Sequence, residues 1–129
     1  MNETKKKILV VDDEPDIVSM VKMRLEASGY EVITASDGET AYSRARSDAP
    51  DLIILDLMLP GMDGYQVCRL LKFDENYRRI PIIMLTAKSQ IEDKEWGQKV
   101  GADYYLTKPF EAKELLDKIN DLIGRKTDA

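Results

Sequence analysis

"ILVVDDEPD", residues 8–16, sets four apolar residues directly before three acids, with a fourth acid two positions further on. A run such as Ile8–Val11 reads as a strand buried on both faces, the kind found in a parallel sheet covered by helices. The pattern recurs at Leu52–Leu55, which runs into Asp56, and at Ile82–Leu85, which runs into Thr86. Between these strands the apolar spacing turns helical. Pro15 suits a first helical turn, and Ile17, Val21 and Leu25 follow on one face before Gly29 ends the segment.

The rest of the chain extends the alternation. Tyr30–Ala35 reads as a shorter strand, Glu39–Arg46 as a helix entered through Ser36-Asp37-Gly38, and Gly64–Lys72 as a third helix. Ser89–Val100 gives a marginal helix, since Ile91, Trp96 and Val100 are its only large apolar residues and Gly97 interrupts it. Tyr104–Leu106 is a fifth strand, and Leu115, Leu116, Ile119, Leu122 and Ile123 mark an amphipathic last helix stopped at Gly124. Five β/α units with right-handed crossovers predict an α/β fold, a doubly wound five-stranded parallel sheet with helices on both faces. A sheet of this size suggests the flavodoxin-like order 2-1-3-4-5, in which strands one and three meet at the topological switch point. The expected domain covers residues 5–124, and residues 125–129 read as a frayed tail.

Bulk composition narrows the function. The 129 residues fit one compact domain, and 43% hydrophobic with 33% charged is ordinary for a globular chain. A net charge of −5 gives no general attraction to nucleic acid or anionic membrane, so neither is an expected direct partner. No apolar run approaches a membrane span, and the start MNETKKK lacks a signal-peptide core. The single cysteine, Cys68, reads as a packing residue, and the expected location is cytoplasmic. The chain has no histidine, which removes His-ligated zinc, Ser-His and Cys-His pairs and any internal phosphohistidine. Chemistry here must run on carboxylates, hydroxyls, lysines and a metal.

The predicted topology brings the polar residues that follow each strand to one carboxyl edge: Asp12 and Asp13, Asp56, Thr86 and Lys108. Two carboxylates about 4 Å apart repel by roughly 4 kcal/mol at an effective dielectric near 20. Three together would cost a sizeable share of a domain's stability of about 5–15 kcal/mol. One lysine cannot neutralise them, whereas a hard divalent cation can, and oxygen ligands with room for water suit magnesium best. Beside such an ion Asp56 could attack phosphorus and form an acyl phosphate. The bland alternative is that Asp13, just before Pro15, caps the first helix.

Taken in order, "ILVVDDEPD", "DLIILDLMLPGMDG", "PIIMLTAK" and "GADYYLTKPF" resemble the receiver domains of bacterial two-component response regulators, of the chemotaxis-regulator type, over about residues 5–124. The resemblance implies that Asp56 is the phosphoacceptor and that Asp12 and Asp13, with Asp56 and the backbone carbonyl of Met58, hold Mg²⁺ (or Mn²⁺). It implies that Thr86 is the switch hydroxyl, that Lys108 pairs with the phosphoryl group and that Tyr105 is the aromatic coupled to Thr86. It further implies a cis Lys108–Pro109 bond, tuning of partner choice and phosphoryl lifetime at Leu57, Met58, Ala87 and Lys88, and a sensor histidine kinase or phosphotransfer protein as donor. The domain would catalyse its own phosphorylation and dephosphorylation and switch the surface of helix four (the marginal helix 89–100), strand five and helix five (the last helix). The downstream target or effector domain, the choice between a stand-alone regulator and part of a longer chain, and the choice between monomer and phosphorylation-dependent dimer stay open.

Two other functions compete. A metal-dependent phosphohydrolase working through an aspartyl phosphate would want an acid two residues after Asp56, where Met58 stands. A phosphorylation-independent binding module would tolerate loss of the acids or of Lys108, and all are present. Met20, Met23, Met58, Met62 and Met84 read as packing residues rather than a cofactor box. Ile91 and Trp96 read as anchors to the sheet, Lys5–Lys7 as a solvated lead-in, and "PGMDG" (60–64) as a turn into the third helix.

Overall fold

The computed structural model describes residues 5–87 and 101–124. Five strands form one parallel sheet: β1 (Lys7–Val11), β2 (Glu31–Ala35), β3 (Leu52–Asp56), β4 (Ile82–Ala87) and β5 (Tyr104–Lys108). Their spatial order is β2-β1-β3-β4-β5, the expected one. The described helices are α1 (Pro15–Ala27), α2 (Gly38–Asp48), α3 (Gly64–Lys72) and α4 (Ala112–Ile119), the last running into a π-helical turn at Asn120–Gly124. The expected helix over 89–100, with Ile91 and Trp96, lies outside the described residues, as do Lys88 and the tail 125–129.

The sheet is the core because its three central strands, β1, β3 and β4, expose almost nothing. Every residue of Ile8–Val11, Leu52–Leu55 and Ile82–Leu85 is fully buried. Alternation splits these side chains between two apolar layers. Leu9, Val11, Ile53, Leu55, Ile82 and Met84 pack under α2 and α3, through Ala41, Ala45, Val67 and Leu71. Ile8, Val10, Ile54, Ile83 and Leu85 pack under α1 and α4, through Val21, Leu25, Leu115 and Ile119. At about 1.5–3 kcal/mol for each large aliphatic side chain, these layers are the main stabilising force.

Local chemistry sets the helix ends. Asp37 caps α2 through the Thr40 N–H, and Asp63 with Gln66 forms a reciprocal capping box on α3. "PGMDG" is therefore a turn into α3, with Gly61 at positive φ. Gly29 closes α1 with φ 96.

Two sequence expectations change. β1, β3, β4 and β5 each extend beyond their apolar runs, because ladder pairing continues into polar residues such as Asp56 and Thr107. Of the five methionines expected to pack, only Met84 is fully buried and Met62 partly so. Met20, Met23 and Met58 are exposed, on the outer face of α1 and in the loop after β3, where among the described residues no facing layer covers them.

Gly64 sits where α3 presses against the end of β3. A Cβ there would overlap the Asp56 carbonyl oxygen and the Leu57 Cα, and the Gly64 N–H already donates to the Leu57 carbonyl at 2.9 Å. Gly64→Ala should lower unfolding free energy by about 1–3 kcal/mol, the usual cost of forcing extra volume into a packed site. Urea denaturation checks this, and an unchanged midpoint would show that α3 can slide without cost.

Candidate metal and phosphoryl site

The site is built where β1 and β3 end side by side. Val11 pairs with Leu55, so the next residues, Asp12 and Asp56, emerge together at the carboxyl edge. Asp12 and Asp56 are 1% and 4% exposed, whereas Asp13 is open to solvent. One carboxylate oxygen from each of the three lies within 4.8 Å of the others. β5 brings Lys108 over this group: its Nζ is 3.0 Å from Asp12 Oδ2, 3.1 Å from Glu14 Oε1 and 3.3 Å from Asp56 Oδ2. The Lys108–Pro109 bond is cis, as expected.

Backbone groups hold the acids in place. Asp12 Oδ1 accepts from the Glu14 N–H at 3.0 Å, and Asp56 Oδ1 accepts from the Met58 N–H at 3.2 Å. The capping alternative for Asp13 is not realised, since the N-cap of α1 is Glu14 and carries no side-chain cap bond. Glu14, a member of the acid run but not an expected site residue, is brought in through Lys108. Its place two residues past a buried Asp is the one signal the sequence offers, but an exposed acid beside Pro15 looks like any helix-start residue.

Electrostatics show strain that one lysine does not relieve. Burial first, and the Asp12 charge second, raise the Asp56 carboxyl to about 6, against the opposing pull of Lys108 and the Met58 N–H. Burial opposes the Lys108 ammonium, yet its ion pairs with Asp12 and Glu14 and the charge of Asp56 hold its pKa above the ordinary lysine value. Asp12 Oδ2 touches the Lys108 ammonium at 3.0 Å but is buried without a hydrogen bond of good geometry. An all-oxygen donor set containing an unsatisfied buried carboxylate oxygen fits a hard divalent cation. Asp12, Asp13 and Asp56 would hold it.

Thr86 and Tyr105 complete the edge. Tyr105 pairs in register with Met84, and Thr86, two residues on, shares the Met84 face of β4. The Thr86 hydroxyl and the Tyr105 phenol oxygen are both buried without a hydrogen-bond partner among the described residues. Burial also raises the Tyr105 phenol above its usual pKa. Tyr104 lies on the opposite face, its ring 4.2 Å from Lys118 Nζ. Cys68 is buried in the layer under α3, where desolvation raises its thiol to about 12, in keeping with a packing role.

The raised Asp56 carboxyl has a measurable consequence for stability. The folded state holds this proton more tightly than the unfolded chain, so unfolding releases it and raising the pH destabilises the fold. In metal-free buffer the loss should accumulate between about pH 4 and about pH 6 and reach no more than about 3 kcal/mol. The stability gap between Asp56→Asn and the unaltered chain, read from urea curves in chelator, should therefore widen across that range. A gap that stays constant would contradict the raised value.

Comparison with known proteins accounts for this arrangement. The family model described as the response regulator receiver domain matches residues 8–120. Over 120 residues the chain is 50% identical to the alkaline phosphatase synthesis transcriptional regulatory protein PhoP of Bacillus subtilis, covering 93% of this chain and 49% of PhoP. It is 48% identical over 122 residues to the DNA-binding dual master transcriptional regulator RpaA of Synechocystis, covering 95% of this chain and 50% of RpaA. The chain thus spans about half the length of these curated relatives. Among solved structures, the chemotaxis response regulator CheY4 of Vibrio cholerae superposes with a TM-score of 0.86 at 38% identity, covering 93% of this chain and all (100%) of that one. The receiver domain of sensor histidine kinase PA1611 from Pseudomonas aeruginosa, which carries a magnesium ion in its active site cleft, gives 0.85 at 36% identity, covering 95% and 100%. Among the described residues no helix is long and apolar enough to cross a membrane.

Proposed function

The chain belongs to the response regulator receiver domain family of two-component signalling, and from that membership we propose that it is a phosphorylation-controlled switch whose acceptor is Asp56. The observation that carries the reading is the convergence of the Asp12, Asp13 and Asp56 carboxylates with the Lys108 ammonium on one sheet edge. A carboxyl raised to about 6 is mainly ionised at neutral pH and so can act as a nucleophile. In the transfer, an Asp56 oxygen bonds to phosphorus as the phosphorus–nitrogen bond of a partner's phosphohistidine breaks, and the imidazole leaves with the electron pair. Asp12, Asp13, Asp56 and the Met58 carbonyl would hold Mg²⁺ (or Mn²⁺), which would supply charge to offset the phosphoryl oxygens. Lys108, already against Asp56 Oδ2, moves from carboxylate to phosphoryl oxygen.

Thr86 is the residue we assign to the switch. Its buried hydroxyl lacks a partner among the described residues, and a phosphoryl oxygen at Asp56 would supply one. Tyr105, on the same face, is assigned the packing response. The donor is a sensor histidine kinase or phosphotransfer protein, and the output passes to an effector domain or downstream target.

Acetyl phosphate tests the reading. With Mg²⁺ the intact mass should rise by one phosphoryl group, and chelator should prevent it. Thr86→Ala should still be labelled but should show less protection of β4 and β5 in amide exchange after beryllofluoride addition. Labelling that proceeds equally well in chelator would remove the metal from the mechanism.

A further inference from the structure

The outer face of α3 carries a feature that the phosphoryl site does not use. Gln66, Arg69, Leu70 and Phe73 follow at the spacing i, i+3, i+4, i+7, which places them in one stripe, opposite the buried Val67, Cys68 and Leu71. Leu70 is 43% and Phe73 71% exposed, although a helix of this kind turns its large apolar residues inward. The stripe lines a groove of about 810 Å³ beside α2, together with Tyr42, Met62, Asp74, Glu75 and Asn76. Contiguous exposed apolar surface rimmed by charge is the usual mark of an interaction site.

We propose that this face is a self-association surface, taken by the same face of a second copy of this chain. The charges favour that occupant. Arg69 lies over the Phe73 ring at 5.7 Å, and among the described residues it has no carboxylate partner. Glu75, which follows Phe73 by two residues and lines the same groove, likewise has no cation partner among them, and Asp74 commits one oxygen to the Asn76 N–H. A cation on one flank and acids on the other make the patch self-complementary under two-fold symmetry, where residue i meets j and j meets i. An antiparallel pairing of α3 with its copy, centred between Leu71 and Lys72, sets Leu70 against Phe73 and Arg69 against Asp74 and Glu75. The apolar contact and both charge contacts then each form twice. The patch is smaller than the roughly 800 Å² per partner of a standard stable interface, so the dimer is weak and reversible. It lies on the solvent side of α3, beside α2, and does not use Asp56.

Sedimentation velocity on the unphosphorylated chain, over a concentration series, tests this. The sedimentation coefficient should rise with concentration toward that of a dimer. Phe73→Glu and Arg69→Glu, both at exposed positions, should each raise the dissociation constant at least about tenfold. Met23→Glu, equally exposed but on α1, should leave it unchanged. A chain that stays monomeric throughout overturns the proposal and leaves the groove to a different protein. Association that survives both α3 variants, or that Met23→Glu abolishes, overturns it as well.

Discussion

Asp56→Asn is expected to end phosphorylation completely, with no mass increase from acetyl phosphate at any Mg²⁺ concentration, while the metal-free fold becomes more stable. Both effects have one origin. Asp56 is 4% exposed beside Asp12, and burial and that neighbouring charge raise its carboxyl to about 6. Asparagine keeps the oxygen that accepts the Met58 N–H, so the turn after β3 should persist. It removes the charge that is costly to bury, and with it the electron pair that would attack phosphorus in the proposed transfer. The gain should appear as a higher urea midpoint at neutral pH in chelator, and it should shrink toward about pH 4, where the native carboxyl is already neutral. The loss should be total, because the alternative acids, Asp12 and Asp13, are not placed by β3. Label appearing on the variant at the native rate would move the acceptor elsewhere.

The parts of the fold and site that are legible in the sequence are those whose residues carry two signals at once. Ile8–Val11, Leu52–Leu55 and Ile82–Leu85 are apolar without alternation, and only a sheet covered on both faces accepts them. The flavodoxin-like strand order, suggested by five β/α units in a chain of this size, puts Asp12 and Asp56 together without any contact being known. Lys108 is legible as a residue after a strand, but its reach to Glu14 is not, because a lysine's contacts depend on rotamers and on the β5 register. The strand ends escape the apolar pattern because backbone pairing takes no account of side-chain polarity: Thr107 and Lys108 continue the ladder as well as any valine. The methionines mislead for a related reason. Met20, Met23 and Met58 are apolar in composition, but nothing in the sequence shows that their face of the helix or loop has no layer above it.

Magnesium affinity gives the second large effect, and Asp13 is the residue that isolates it. Among the three acids Asp13 alone is exposed, and it makes no cap on α1, so it contributes an oxygen to the cluster and little to the fold. Asp13→Ala should therefore leave the metal-free melting temperature unchanged or slightly higher, since a like charge near Asp12 and Asp56 is gone. Magnesium stabilises only the folded chain, by RT ln(1 + [Mg²⁺]/Kd). At a concentration one hundred times the native Kd that amounts to about 2.7 kcal/mol, and a hundredfold weaker site would retain about 0.4 kcal/mol. The variant's melting curve should thus be nearly blind to magnesium, while Asp13→Asn, which keeps a neutral oxygen, should fall between. Phosphorylation by acetyl phosphate should fall in the same order, because the transferring oxygens lose the charge that offsets theirs. Were Asp13→Ala instead to melt well below the native chain in chelator, with its magnesium response intact, Asp13 would be a structural residue, and the opening DDE run would owe its place to the helix start rather than to a metal.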